Sequence, residues 1–341
     1  MKKKKILYIL LALFIIGAAL AGYAYNIIST GFDIDKTVYI YIDNNKSYDS
    51  LLIQLENKAK IKSASNFDKL ASLMEYKDNV KSGRYAVKPD MKAIDLIRIL
   101  RSGAQTPINL KFNNIRIKKD LTERISKQLM MSNDELYTAL EDPAICSEMG
   151  FNPSTIVAMF IPNTYQVYWD VPVNTFLKNM KAQYSSFWTE KRKKQADDLG
   201  LTPVEVSILA SIVEEECMYQ DEYPMVAGLY LNRLHIGQAL QADPTVKFAV
   251  GDFTLRRILN KHLQIQSPYN TYKRTGLPPG PIRIPSIKGI DSVLNPAKHN
   301  YYYMCAKADF SGRHAFARTH AEHERNAALY RAELNRRKIY Q

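Results

Sequence analysis

Three consecutive glutamates, Glu214, Glu215 and Glu216, stand at the end of an apolar segment and could supply an acid for catalysis. The segment opens with Thr202, a proline and Glu205, which match an N-cap residue, a first-turn proline and the acid of a capping box. These signals predict a helix up to residue 217, with the three carboxylates in its last turn. There the negative end of the helix dipole opposes carboxylate charge.

The three side chains point in different directions on a helical wheel. Glu216 falls inside the apolar sector, between Leu209 and Ile212, whereas Glu215 lies just outside its edge and Glu214 lies beside two serines. Burial and the dipole both favour a protonated carboxyl, so we expect Glu216 to have the highest pKa of the three. A carboxyl that keeps its proton near neutral pH can act as a general acid. The pattern leaves open a surface acid at a fraying helix end.

Three downstream loops combine a stiff backbone with hydrogen-bonding and aromatic side chains. They cover residues 240–245, 267–272 and 276–282, and a helix expected over residues 224–236 precedes them. Their prolines restrict the backbone, while their Tyr, Asn, Gln, Thr and Asp side chains offer flat faces, donors and acceptors. A groove for a sugar polymer needs both kinds of surface. Structural turns are the other interpretation of these loops.

Five sequence blocks, in one order along the chain, resemble those of a known family. They are residues 209–216, 232–234, 240–245, 269–272 and 276–281. The set resembles the endolytic murein transglycosylases, which form the MltG or YceG-like family. The resemblance covers most of the chain after the first thirty or so residues, and it implies an enzyme that acts on peptidoglycan glycan strands.

The resemblance also implies a reaction and the residues that carry it. Glu216 falls on the position of the family's catalytic acid, in agreement with the helical wheel. The implied reaction is non-hydrolytic cleavage of the β-1,4 bond between N-acetylmuramic acid (MurNAc) and N-acetylglucosamine (GlcNAc) within nascent strands. It leaves a 1,6-anhydro-MurNAc end, terminates glycan elongation and requires no cofactor and no metal ion. The expected substrate contacts are Tyr165, Asn232, Arg233, Gln241, Asp243, Thr245, Tyr269, Asn270, Thr271, Tyr272 and His314.

Two positions depart from the family pattern. Asn163 stands where the family usually has an aspartate, so a charge at that position is not expected here. Cys217 replaces the small hydroxyl residue that commonly follows the catalytic acid, which changes a local hydrogen-bonding group.

Two other classes of protein remain open at this point. A hydrolytic glycosidase would pair two carboxylates, with Asp243 and Glu214 as the candidates for that pair. A non-catalytic, membrane-anchored protein that binds the cell wall would explain the anchor and the basic charge. It would not explain an acid within an apolar helix face.

The start of the chain predicts a membrane anchor. Residues 2–5 are all lysine, and residues 6–32 carry no charged side chain, which is enough apolar length to cross a bilayer. The basic cluster predicts a cytoplasmic N-terminus and a body on the other side, which the resemblance places in the periplasm, outside the inner membrane. The alternative is a cleaved signal peptide, because residues 19–21 resemble a cleavage site.

Composition narrows the class of protein and its partners. With 46% hydrophobic and 24% charged residues, the chain is neither a disordered polyelectrolyte nor a polytopic membrane protein. Four of its 47 basic residues lie in residues 2–5, so the remainder carries 43 basic against 34 acidic residues, a net charge of +9. Outside a membrane this charge favours an acidic wall polymer rather than nucleic acid. Peptidoglycan synthases are further expected partners.

The predicted fold is α+β, with an N-terminal transmembrane helix, a small α+β module and a larger mixed α+β domain. The family resemblance implies that the module is LysM-like, since residues 82–103 resemble that part of the family, and that the larger domain is catalytic. The expected segments are residues 1–32, 33–112, 113–200 as a connecting helical region, and 201–341. In the module we expect strands at residues 38–42 and 84–87 and helices at residues 47–58 and 92–101, the last closed by Gly103. Farther on, the pattern predicts one long helix over residues 175–199 and a basic final helix over residues 327–339.

Overall fold

A computed structural model describes residues 2–255 and 257–338, which form two compact units. The first unit comprises Met1–Leu110, Gln128–Met131 and Tyr165–Val171, and the second comprises Lys111–Lys127, Ser132–Thr164 and Pro172–Gln341. Both contain helices and short paired strands, so the expected mixture of helix and sheet is confirmed.

The first unit begins with a long helix and continues as a small module of helices and strands. Its helices are α1 (Lys2–Ile28), α2 (Tyr48–Asn57), α3 (Ala64–Leu73) and α4 (Ala93–Ser102). Its strands β1 (Val38–Ile42) and β2 (Gly83–Val87) pair antiparallel, from Val38 opposite Val87 to Ile42 opposite Gly83. A second pair joins β3 (Ile108–Lys111) to β4 (Thr164–Val167). The strands expected at residues 38–42 and 84–87 are confirmed.

Helix α1 is long and apolar enough over Lys3–Ile28 to cross a membrane. The side chains of residues 3–26 are exposed, as they would be in a helix that lipid covers. This finding is consistent with a single-pass membrane anchor.

The core of the module comes from alternating strand residues and one face of each helix. Ile40 of β1 and Tyr85 of β2 are fully buried, together with Leu51 of α2 and Leu96 of α4. Helix α4 ends at Gly103, whose φ of 75° lies in the left-handed region that a side chain would strain. The predicted glycine stop is therefore confirmed.

The second unit is mostly helical. Its helices are α5 (Lys118–Ser126), α6 (Asn133–Glu141), α7 (Pro143–Glu148), α8 (Val173–Phe187), α9 (Glu190–Asp198), α10 (Pro203–Glu216), α11 (Tyr223–His235), α12 (Asp243–Val250), α13 (Asn260–Leu263), α14 (Ile287–Leu294) and α15 (His320–Arg336). Its antiparallel strands are β5 (Tyr303–Ala306) and β6 (His314–Ala317).

Helix α10 lies in the centre of the second unit, packed against α11, α12 and α14. Every residue from Val206 to Val213 is buried, so the helix is covered on all sides rather than along one apolar sector. Its two buried serines are satisfied within the helix: the Ser207 hydroxyl donates to a carbonyl one turn back at 3.0 Å, and that of Ser211 does so at 2.6 Å. The helix can therefore fix the position of a residue at its end.

The prediction of one long helix over residues 175–199 is wrong, because the chain forms α8 and α9 there. Trp188, between them, is 2% exposed and packs against Phe187 and Tyr184, which takes its backbone out of helical geometry. Thr189 then caps α9 by accepting a hydrogen bond from the Arg192 N–H. Burial of the indole and a new cap outweigh the continuous helical pattern.

The last described helix begins earlier than the expected final helix over residues 327–339. Thr319 and Glu322 form a capping box that starts α15 at His320, and the helix continues to Arg336. Residue 339, where the prediction ended, lies outside the described residues.

Candidate active site

Glu216 is the last residue of α10, and the start of that helix is fixed as the sequence predicts. The Glu205 N–H donates to the Thr202 hydroxyl at 3.2 Å, while the Thr202 N–H donates to Glu205 Oε2 at 2.8 Å. The backbone leaves helical geometry at Cys217, whose φ and ψ are −97° and 131°. The three glutamates therefore share the final turn of one well-defined helix.

Glu214 and Glu215 are both held by positively charged side chains. Glu215 accepts hydrogen bonds from Arg116 Nη2 at 2.7 Å and from Arg283 Nη1 at 3.0 Å. Glu214 accepts hydrogen bonds from the backbone N–H of Ser286, at 2.8 Å, and from its hydroxyl, and it lies 3.4 Å from Arg283 Nε. These contacts tie α10 to distant chain segments. They also disfavour Glu214 as the second acid of a hydrolytic pair, because its carboxylate is already occupied.

Glu216 has different surroundings. Its Oε2 atom is buried and makes no hydrogen bond with any residue that the structure describes. Burial, and then the negative charge of Asp243, raises the pKa of Glu216 to about 7. The nearby Tyr230 hydroxyl and Arg233 guanidinium lower this pKa without cancelling the rise. The pKa of Glu216 is raised in the direction that the wheel predicts, but the wheel's reason is wrong: Glu214 is the buried residue of the three, whereas Glu216 is half-buried with its Oε2 atom covered. A carboxyl with this pKa can donate a proton near neutral pH.

Asp243, the first residue of α12, is fixed by a tyrosine. The Tyr272 hydroxyl donates to Asp243 Oδ1 at 2.6 Å. Burial, followed by this hydrogen bond, raises the pKa of Tyr272 far above its ordinary value, so the phenol remains a donor. Gln241, two residues earlier, has a φ of 49° and an exposed side chain that could meet a ligand. The contact with Tyr272 holds the Asp243 charge in place beside the Glu216 carboxyl.

Asn232 and Arg233, on α11, use their polar groups on the protein's own backbone. Arg233 Nε donates to the Tyr302 carbonyl at 2.5 Å, and its Nη1 donates to the Leu240 carbonyl at 2.6 Å. Asn232 Nδ2 donates to the His299 carbonyl at 2.9 Å. These two residues therefore position the loops around Glu216, with the Asn232 amide and the Nε and Nη1 groups of Arg233 already in use.

Three further residues from the predicted set are buried in the joint between two loops. The hydroxyls of Thr245 and Thr271 lie 2.8 Å apart, and the Ala242 N–H donates to Thr271 Oγ1 at 3.0 Å. Asn270 Nδ2 donates to the Leu263 carbonyl at 2.9 Å. The loops that carry Asp243 and Tyr272 are thus fastened to one another.

Tyr269 lies in a separate pocket of about 260 Å³ within the second unit. It packs against Phe248 with ring centroids 4.8 Å apart, and the pocket wall includes Arg116, Lys118 and Lys119. The two tyrosines of this short loop therefore have different surroundings. Tyr272 contacts Asp243, whereas Tyr269 lines a pocket of basic and aromatic side chains.

His314 and Tyr165 occupy other surroundings. The His314 N–H donates to Glu222 Oε1 at 3.0 Å, and its Nδ1 lies 3.4 Å from Glu222 Oε2. Tyr165 belongs to the first unit, where burial raises its pKa to about 12. Their predicted contacts with substrate remain predictions.

The structure also shows the surroundings of Cys217 and Asn163, the two residues that depart from the family pattern. Cys217 is buried, and burial followed by the charge of Glu216 raises its thiol pKa well above the usual range, so the thiol stays neutral. Asn163 Oδ1 accepts a hydrogen bond from the Thr164 N–H at 2.7 Å.

Sequence reasoning missed Tyr230, Arg283 and Arg116. Tyr230 lies three residues before Arg233 on α11, and this spacing places both side chains on one helix face, a signal that could have identified it. Arg283 and Arg116 are 68 and 99 residues from Glu215, and no local pattern in the sequence links them to it.

Comparisons with known proteins identify the family of the chain. The model of the YceG-like family matches residues 40–329 of the chain. An endolytic murein transglycosylase from Bacillus subtilis is 27% identical over 321 residues, which cover 89% of this chain and 87% of that protein. An endolytic murein transglycosylase from Streptococcus pneumoniae is 24% identical, over 86% of this chain and 58% of that longer protein.

One solved structure has a similar fold. The crystal structure of a YceG-like protein from Listeria monocytogenes superposes with a TM-score of 0.57 at 25% identity, covering 86% of this chain and 99% of the other. The family match extends over far more than half of the residues. The chain therefore belongs to the YceG-like family.

Proposed function

We propose that this protein is an endolytic lytic transglycosylase, a lyase that cleaves the MurNAc–GlcNAc β-1,4 bond within nascent peptidoglycan strands. The enzyme class follows from the family and from the names of the relatives, which are endolytic murein transglycosylases. The cleavage leaves a 1,6-anhydro-MurNAc end, and in the cell it terminates glycan elongation.

The observation that carries the mechanism is the Glu216 carboxyl at the end of α10, whose Oε2 atom is covered and makes no hydrogen bond with any described residue, and whose pKa is raised to about 7. In the first step this carboxyl donates its proton to the glycosidic oxygen, and the bond between that oxygen and the MurNAc C1 breaks. In the second step the resulting carboxylate removes the proton from the MurNAc 6-hydroxyl, whose oxygen bonds to C1. Glu216 regains its proton, no water is consumed, and one residue serves both steps.

Asp243 has a supporting role in this scheme. Glycoside cleavage passes through an oxocarbenium-like transition state with positive charge at the anomeric carbon. A carboxylate held by Tyr272, close enough to raise the pKa of Glu216, can stabilise that charge. The same carboxylate keeps Glu216 protonated before the reaction.

Besides Asp243, eight of the expected substrate residues fall into two groups in this proposal. Tyr272, Gln241 and Tyr269 offer surface to the glycan, and Tyr269 would contact it in the basic pocket. The second group holds the loops in shape and consists of Asn232, Arg233, Thr245, Asn270 and Thr271. Contacts from His314 and Tyr165 are part of the proposal on the resemblance alone.

We further propose that α1 anchors the protein in the inner membrane, with a cytoplasmic N-terminus and a periplasmic enzyme. The lysines at residues 2–5 support this orientation. The module that follows α1 is proposed to be LysM-like and to bind glycan. Peptidoglycan synthases are proposed partners, since they produce the strands that the enzyme would cut.

The test is mass spectrometry of glycan strands digested by the wild-type protein and by Glu216→Gln. Wild-type protein should release fragments with 1,6-anhydro-MurNAc ends, and the variant should release almost none. Absence of cleavage by a folded wild-type protein would point to a non-catalytic wall-binding protein.

One observation favours a second candidate, hydrolysis. Asp243 lies close enough to Glu216 to shift its pKa, so the site holds two carboxylates rather than one. A base at Asp243 could activate water, as in glycosidases that use an acid and a base. This reaction would yield reducing ends in place of anhydro ends, and the same mass spectra distinguish the two.

A further inference from the structure

Helix α3 of the first unit lies along the end of the proposed anchor α1. Asn66 Nδ2 donates to Asn26 Oδ1 at 3.1 Å and to Thr30 Oγ1 at 2.9 Å. Three residues later, Lys69 Nζ lies 2.8 Å from the Tyr23 hydroxyl and 5.3 Å from the centroid of that ring. As the chain advances along α3, its partners move back along α1, so the two helices run antiparallel.

Just before α3, the backbone of residues 60–62 pairs with that of residues 31–33, again in antiparallel order. The Asp33 N–H donates to the Lys60 carbonyl at 2.9 Å, and the Lys62 N–H donates to the Gly31 carbonyl at 3.0 Å. Ile27, near the end of α1, belongs to the buried core of the module. The anchor helix is therefore built into the module.

The antiparallel order points the end of α3 toward the apolar part of α1. Leu73, the last residue of α3, lies four residues beyond Lys69, or about 6 Å farther at 1.5 Å per residue. This level corresponds to residues 19–20 of α1, where the helix carries only apolar side chains. Leu73 is 79% exposed, and Glu75, with a φ of 53°, turns the chain away after it. An apolar side chain is thus left uncovered at the depth of the lipid-facing helix.

We propose that Leu73 and Lys69 form a contact with the lipid bilayer, in which Leu73 enters the boundary between headgroups and acyl chains and Lys69 meets lipid phosphates. This proposal rests on the proposed membrane insertion of α1. Tyrosine and lysine side chains favour the interface, where an apolar body and a polar tip are both satisfied, and Tyr23 and Lys69 meet at that level. The bilayer is the partner because the surface continues that of the exposed apolar helix α1.

The contact would hold the module on the membrane surface. The core residue Ile27 and three side-chain polar contacts already join anchor and module, and the lipid contact adds a further restraint at the tip of α3. Anchor and module would then move as one body, with the module at a fixed height above the bilayer.

The test places an environment-sensitive fluorophore on Leu73→Cys in the full chain, reconstituted in liposomes of phosphatidylethanolamine and phosphatidylglycerol. Ile53→Cys is the matched control, since Ile53 is another exposed aliphatic residue of the same unit, 56% exposed, on α2. The chain's own cysteines are buried or half-buried, and the labelled wild-type protein gives their background.

We expect the label at position 73 to shift to shorter emission wavelength and to lose most of its fluorescence to nitroxide lipids, while the label at position 53 responds only to a soluble quencher. Lys69→Glu added to Leu73→Cys should weaken both effects. Flotation with the liposomes reports α1 insertion separately. If the protein floats with the liposomes but the label at position 73 is exposed to water, or if nitroxide lipids quench both labels equally, the lipid contact is wrong. The proposed membrane insertion of α1 would still hold in that case. If the protein does not float with the liposomes, both the membrane insertion of α1 and the lipid contact are contradicted.

Discussion

The last turn of α10 carries the same side chain in two opposite electrostatic settings. On one side, Glu215 contacts Arg116 and Arg283 at 2.7 and 3.0 Å, and Glu214 is held by Ser286. On the other side, one oxygen of the Glu216 carboxyl is buried without a hydrogen bond to any described residue, and the positive charge of Arg233 only partly offsets the rise in its pKa.

Shared features cannot explain this contrast. All three residues lie at the same end of one helix, so the dipole and the sequence neighbourhood are common to them. The difference comes from what the fold brings to each side: arginines stabilise a charged carboxylate, whereas burial and Asp243 favour a protonated one. Carboxylates on the arginine side hold the fold together, and the carboxyl on the other side is free for proton transfer.

The largest expected effect separates the two sides by activity. Glu216→Gln should lower kcat/KM at least about 100-fold, since it removes the general acid and leaves the shape unchanged. Glu215→Gln, the matched control, should retain activity within several-fold once folded. Release of anhydro ends from purified strands measures both variants. If Glu216→Gln and Glu215→Gln lose comparable amounts of activity, the two glutamates do not differ in function as proposed.

The second effect is on stability and depends on pH. Because the folded-state pKa of Glu216, about 7, lies above the ordinary value of 4.5, its ionisation as pH rises costs the folded protein stability. Gln cannot ionise, so Glu216→Gln should unfold with about 1–3 kcal/mol more free energy than wild type near pH 8. The gap should narrow near pH 5. Denaturant titrations at both pH values check this, and a gap that grows toward low pH would contradict it.

The arginine side should show the reverse effect on stability. Glu215→Gln weakens charge-assisted hydrogen bonds to two half-buried guanidinium groups, so we expect a loss of about 1–2 kcal/mol in the free energy of unfolding at neutral pH. Thermal and urea unfolding measure it. An unchanged or increased stability would mean that these ion pairs do not hold α10 in place.

The smallest effect concerns Asp243. Its negative charge is the second cause of the raised pKa of Glu216, after burial, so Asp243→Asn should move the alkaline limb of the rate profile to lower pH. Tyr272→Phe keeps that charge while removing its hydrogen bond, and should move the limb less. Profiles of kcat against pH decide the point. A limb that moves upward in Asp243→Asn would exclude the proposed coupling.

Local signals in the sequence were sufficient where local chemistry decides the structure. The capping box at Thr202 placed α10, Gly103 ended α4, and alternation identified β1 and β2. The wheel predicted a raised pKa for Glu216 from an apolar sector that does not exist, because α10 is buried on every side and Glu214 is more buried than Glu216.

What could not be read from sequence depends on long-range packing. The arginines that hold Glu215 come from segments 68 and 99 residues away, and the polar residues of the loops were expected to face substrate. Instead, Thr271 is buried in a bond between two loops, and Asn270 is buried in a bond to the Leu263 carbonyl of its own segment. The helical period across residues 175–199 gave no sign of the break at Trp188, since burial of the indole in an aromatic cluster decides it.

Isotope-edited infrared spectroscopy of the carboxyl band, taken as the difference between wild type and Glu216→Gln, measures the protonation of this residue directly. A band of the protonated acid that disappears with a midpoint near pH 7 is the predicted result. A midpoint near 4.5, the ordinary value for glutamate, would contradict the account of how this site holds its proton.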